Sequence, residues 1–138
     1  MLALLLVLSA AIVWVLFTMK PFGQSYKGEG DIQVRSWSDP SRIETSGKST
    51  AKVEVKNAGD DDADVLVKLE AFDPALSFEQ TGGQVVNESI RLGRGESREL
   101  RFKVVFNATH GGRYGLKETV SSRTGSIEDE IFFDVFEK

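Results

Sequence analysis

The chain reads as all-β: an antiparallel β-sandwich of about seven strands, preceded by one N-terminal transmembrane helix. Three observations carry this reading. From about Asp31 onward the apolar residues recur with period two rather than 3.6, the mark of strands that bury one face. Short turn sequences (NAGD, TGG, GRG, HGG, RTG) separate those runs at regular spacing. The first nineteen residues, MLALLLVLSAAIVWVLFTM, contain no charged side chain, and only Ser9 and Thr18 are polar.

Taken in order, residues 1–20 are expected to be a transmembrane anchor. A helix of this length extends about 28 Å, close to the hydrocarbon thickness of a bilayer. Trp14, Phe17 and Lys20 cluster toward one end, as interfacial anchors do. A cleaved signal peptide fits less well, because a basic start and a small-residue cleavage site are both missing. A buried core helix fits less well too, since an all-round apolar helix needs more protein around it than this chain offers. Residues 21–30, PFGQSYKGEG, carry one Pro and three Gly and are read as a linker. The folded domain is then expected over residues 31–138.

Within that domain the alternation assigns faces. Ile32 and Val34 open the first strand. TAKVEVKN sets Ala51, Val53 and Val55 against Lys52, Glu54 and Lys56. VLVKLEA places Val65, Val67, Leu69 and Ala71 on one side, and ELRFKVVF does the same with Leu100, Phe102, Val104 and Phe106. Shorter runs surround Val86, Ile90 and Leu92, then Tyr114 and Leu116, and a last one extends from Ile127 to Val135. Such half-apolar strands pack as two sheets around a common core. One residue breaks the pattern. Glu118 shares the parity of Tyr114, Leu116 and Val120, so either a bulge shifts the register there or the strand ends early.

The turns and strands together resemble the adhesion-related Ig-like modules of archaeal and bacterial surface proteins, the CARDB/NEW3 type. The residues that carry the likeness are Asn57 and Gly59 in the first turn. Gly93, Gly95, Glu96 and Ser97 follow before an alternating strand, and then Gly112 and Tyr114. The second stretch departs slightly, reading Gly-Arg-Gly-Glu-Ser where Gly-Pro-Gly is commoner. The resemblance covers most of residues 31–138 and implies an Ig-like sandwich in an extracytoplasmic setting; it implies no reaction. Antibody-type hallmarks are missing: the chain has no Cys, and Trp37 comes too early to be the central-strand tryptophan.

Composition narrows the function classes. The 138 residues include 28% charged and 41% hydrophobic side chains, ordinary for a globular chain, with a net charge of -4. That balance gives no footprint for nucleic acid. The lack of Cys removes thiolate metal sites, Cys nucleophiles and disulfides. His110 is the single His and sits in a loop, so a nucleophile–base pair has little to draw on.

The acidic turn NAGDDDAD offers Asp60, Asp61, Asp62 and Asp64 as weak oxygen ligands for Ca²⁺. It lacks the central Gly and late Glu of an EF-hand loop, and the turn reading explains each residue without a metal. No cofactor is expected. Asn87 (NES) and Asn107 (NAT) are N-glycosylation candidates that fall on solvent-facing positions. On the last strand, Phe132 and Phe136 share the face opposite Ile131, Phe133 and Val135, rimmed by Glu128, Glu130 and Asp134. They are the interaction candidates.

The expected function is that of a non-catalytic, single-pass membrane protein presenting its domain outside the membrane to another surface protein, a membrane protein or an envelope polymer. The alternative is an accessory subunit of a larger membrane complex, its anchor packed among other helices. Lys20 and Lys27 after the apolar run, taken alone, argue for the opposite orientation. The sequons and the resemblance argue for the outside.

Overall fold

A computed structural model describes residues 25–28 and 30–137 of the chain; the expected anchor over 1–20 lies outside the described residues. Among the described residues no helix is long and apolar enough to cross a membrane, and the fold is entirely β.

Nine strands follow one another: β1 (Ile32–Asp39), β2 (Arg42–Glu44), β3 (Lys48–Asn57), β4 (Ala63–Ala71), β5 (Leu76–Phe78), β6 (Val85–Leu92), β7 (Ser97–Phe106), β8 (Gly112–Ser122) and β9 (Gly125–Phe136). They form two sheets, one ordered β1-β3-β7-β5 and the other β2-β9-β8-β4-β6. Pairing is antiparallel except between β2 and β9. From β1 in the first sheet the chain crosses at Pro40 and enters the second sheet alongside β9.

The alternation read from sequence is the alternation observed. Val34, Ala51, Val53, Val55, Val67, Leu69, Phe102 and Val104 all face the shared interior and are buried. Phe106 stands at its aromatic centre, with its ring 5.1 Å from that of Phe133 and 6.4 Å from that of Tyr114, both edge to face. Two strands escaped the sequence reading. β2 and β5 have three residues each, too short to show periodicity, yet they bury Ile43, Leu76 and Phe78.

Glu118 departs from the expected bulge or early strand end. β8 runs without a bulge or early end, and its register with β9 is continuous from Gly112–Val135 to Ser122–Gly125. Glu118 keeps the parity of Leu116 and Val120 and is held between the sheets, 1% exposed.

Part of the segment expected as a linker packs on the sandwich. Lys27 forms a two-way backbone bridge with Val34, its N–H to the Val34 carbonyl at 2.6 Å and the Val34 N–H to its own carbonyl at 2.9 Å. Residues 26–28 thus form a strap beside the exposed edge of β1. Gly28 takes φ +111°, and a Cβ there would lie 2.7 Å from both the Ile127 side chain and the Ile32 carbonyl. The strap therefore bridges β1 of one sheet and β9 of the other.

Candidate functional site

Alternation decides what each sheet shows to solvent. On the β1-β3-β7-β5 sheet many of the outward residues are charged, and several are paired. Arg35 meets Glu54 at 3.0 Å, Lys52 meets Asp39 at 2.8 Å, and Arg101 meets Glu99 at 2.8 Å. The Tyr26 hydroxyl of the strap donates to the Glu54 carboxylate, and the Arg35 guanidinium stacks 4.7 Å above the Tyr26 ring. Burial and the neighbouring carboxylate push the Tyr26 hydroxyl up to about 12, so it stays a donor at any physiological pH.

The outer face of the second sheet differs. The exposed large hydrophobics of the described chain all lie on it: Leu66 (41% exposed), Phe72 (70%), Val85 (42%) and Phe132 (43%). Leu66 sits on β4 between inward Val65 and Val67, and Phe72 continues the β4 alternation one step past the strand. Val85 begins β6 and Phe132 lies on β9. Phe72 and Phe132 line an open groove of about 660 Å³ together with Gly115, Lys117, Glu128 and Glu130. Gly115 is what allows this. It pairs with Phe132 across β8–β9, and a Cβ at Gly115 would come within 3.3 Å of the Phe132 ring, so the ring lies down over the bare backbone. The Arg113 guanidinium stands 5.0 Å from the ring centre of Phe132.

The two interaction candidates from sequence part company here. Phe132 is exposed in the groove. Phe136 is half-buried: β2 runs alongside β9 at that point, and the Arg42 guanidinium covers the ring at 5.0 Å. Phe72, the most exposed ring of the face, went unnoticed because it lies outside any strand-length run, although its position after Ala71 continues the alternation.

The acidic turn is held by Asn57, which is fully buried. Its Nδ2 donates to the carbonyls of Asp61 (2.7 Å) and Leu92 (3.2 Å), and its Oδ1 accepts from the Gly59 N–H at 3.0 Å. Asp62 and Asp64 turn toward Arg91, at 3.7 and 3.3 Å, while Asp60 and Asp61 are exposed. Among the described residues no group of three or more His, Cys, Asp or Glu side chains is arranged to hold a metal. His110 is exposed, with Nδ1 3.8 Å from Glu137. Asn87 and Asn107 are both exposed, Asn87 on the outer face of β6 and Asn107 just past β7.

One polar cluster is interior. The Ser36 hydroxyl of β1 donates to Glu118 Oε2 across the gap between sheets, and Glu118 Oε1 has no partner. Burial pushes the Glu118 carboxyl up to about 7; the Ser36 hydrogen bond and Lys27 oppose this, and Asp129 adds to it. Lys27 of the strap pairs with Asp129 at 2.7 Å, which raises the Lys27 ammonium above its ordinary range.

No family model and no curated protein matches the chain. Solved structures do share its fold. The native conformation of E. coli alpha-2-macroglobulin superposes with TM-score 0.60 at 15% identity over 75% of this chain, which spans 7% of that one. The alkylpurine DNA glycosylase AlkC of Pseudomonas fluorescens, bound to DNA containing an abasic site analog, gives TM-score 0.53 at 10% identity, over 78% of this chain and 31% of that one. A FixG-related protein from Vibrio parahaemolyticus gives TM-score 0.53 at 11% identity, over 79% of this chain and 98% of that one. At such identities the likeness is one of fold alone.

Proposed function

We propose that the chain is a non-catalytic, single-pass membrane protein whose Ig-like domain, of the CARDB/NEW3 type and extracytoplasmic, binds another surface or membrane protein through the outer face of the β2-β9-β8-β4-β6 sheet. The observation that carries this is the groove shared by Phe72 and Phe132 on that face, which also exposes Val85 and, further along β4, Leu66. Scattered exposed apolar residues are ordinary, whereas a group on one face is the usual mark of a contact surface.

The strand order supports the Ig-like reading. β1, β3, β7 and β5 stand where an Ig sandwich has its A, B, E and D strands, and β4, β8 and β9 stand as C, F and G. The order along the chain departs in one respect, because β5 precedes β6 where an Ig variable-type domain would have the edge strand beside C first. The same arrangement occurs as nearly all of one solved chain and as a segment of two longer ones, which fits use as a module.

The test is the double variant Phe72→Ser/Phe132→Ser in the full chain, extracted in mild detergent. The expected result is an unchanged melting temperature with loss of the co-purifying partner. Retention of that partner would overturn the reading. Protease accessibility in intact and lysed cells tests the orientation: cleavage of the domain only after lysis would place it inside.

A further inference from the structure

The strap and the buried carboxyl of β8 meet at one seam, between the edge of β1 and the face of β9. Lys27 reaches across that seam to Asp129, and Asp129 is the registered neighbour of Glu118. We propose that residues 26–28 are a latch on the sandwich and that the charge of Glu118 sets how tightly the latch closes.

The groups that face Glu118 come from several elements. The strap contributes the Lys27 ammonium and β9 the Asp129 carboxylate. β1 contributes the Ser36 hydroxyl. The cross-strand neighbour on β4 is Leu69, and the residue paired with Ser36 on β3 is Val53, both apolar and fully buried. Lys27 is thus the cation set against two carboxyls, one ion-paired to it and one interior.

When Glu118 is neutral, Lys27 is held by Asp129 and by its backbone bridge to Val34. When Glu118 ionises, a second negative charge appears in an interior where screening is weak, and the ammonium gains attraction toward the seam. The coupling is reciprocal: whatever ionisation adds to strap docking, docking adds to ionisation. Because burial holds the carboxyl near 7, this change of charge falls close to neutrality. The device holds residues 26–28 against the sandwich, independently of what the outer sheet face binds. Its failure would leave the proposed binding face untouched.

Hydrogen exchange on the full chain in detergent tests the latch, read at the two amides of the bridge, Lys27 and Val34. After correction for intrinsic exchange rates, their protection is expected to rise from about pH 6 to about pH 8, in step with the titration of Glu118. In Glu118→Gln the rise disappears. In Lys27→Met, an exposed-site change that spares the core, the rise also disappears and the Glu118 carboxyl, followed by carbon NMR, titrates at higher pH. Flat protection in the wild type overturns the proposal, as does a rise that persists in Glu118→Gln. A fall in protection overturns it too, since ionisation would then open the seam to water instead of closing it. An unmoved Glu118 titration in Lys27→Met removes the link between strap and carboxyl.

Discussion

The two sheets share one interior and the same alternating strand chemistry, but their outer faces part. On the β1-β3-β7-β5 face, arginine, lysine and carboxylates are interleaved so that Arg35, Lys52 and Arg101 each find an acid. On the other face ion pairs also occur, such as Arg113–Asp134 at 3.4 Å and Lys117–Glu128 at 3.7 Å, with exposed Phe72, Phe132, Val85 and Leu66 among them. A face of matched charges has little to gain from covering. An interrupted face still holds apolar area that a partner would remove from water. The same alternating strand chemistry thus yields one outer face of matched charges and one interrupted by apolar side chains.

The strongest way to break the comparison is to remove what both faces rest on. Phe102 is fully buried between the sheets. Phe102→Ala is expected to cost about 3–5 kcal/mol in chemical denaturation, the usual range for emptying a buried aromatic site. Protection should fall in both sheets together. Loss confined to one sheet would mean that the faces belong to separable units.

Next in size is Glu118, whose carboxyl lies near 7 folded against an ordinary 4.5. The folded state therefore keeps a proton that the unfolded chain releases. Stability from this group is whole below about pH 4.5, declines as pH rises, and is lost above about pH 7, amounting to about 3 kcal/mol. Glu118→Gln removes that slope, so the difference between wild type and variant should grow across the interval. A constant difference would show that the carboxyl is solvated when folded.

Sharper discrimination comes from the faces themselves. Phe72→Ser/Phe132→Ser should change stability by no more than about 1 kcal/mol, because both rings are substantially exposed, while abolishing partner binding. The smallest effect belongs to the paired face. Arg101→Gln should move stability by less than about 0.5 kcal/mol and leave binding intact, as expected of a surface pair. If Arg101→Gln instead removed binding, the roles assigned to the two faces would be reversed. In the same small range, replacing Asp60, Asp61 and Asp62 by Asn should leave the melting temperature unchanged with or without Ca²⁺. A calcium-dependent rise that the triple variant loses would make the turn a metal site.

What the sequence disclosed follows from period two. Wherever a run was long enough to alternate, as in β3, β4 and β7, the buried set could be named residue by residue. β2 and β5 were invisible because three residues carry no period. Glu118 was visible as an anomaly and misread, because a charged residue on an inward parity argues for a register shift unless its partner is known. That partner, Ser36, lies on a strand of the opposite sheet, and no local pattern connects them. The exposed apolar face was half legible. Phe132 stood out among carboxylates, but Phe136 looked equivalent until β2 and Arg42 were placed beside it, and Phe72 had no strand to belong to. Exposure depends on neighbours in space, which a linear pattern does not hold.

The crossing of the chain at Pro40 has a consequence for the order of assembly. β2 has a single partner, β9, and Arg42 lies opposite Asp134, almost at the far end of the chain. During synthesis β1 and β3 can pair soon after they emerge, since only a short connection separates them. β2 must wait until β9 has been made, and until then β8 has an unpaired edge on one side. Loop closure over that span is slow and leaves strand edges open to neighbours. A chain cut short before Gly125 would therefore be more than a domain lacking one strand. It would keep the β8 edge permanently open, with Glu118 stripped of the strand that carries Asp129, and such a fragment should aggregate rather than fold.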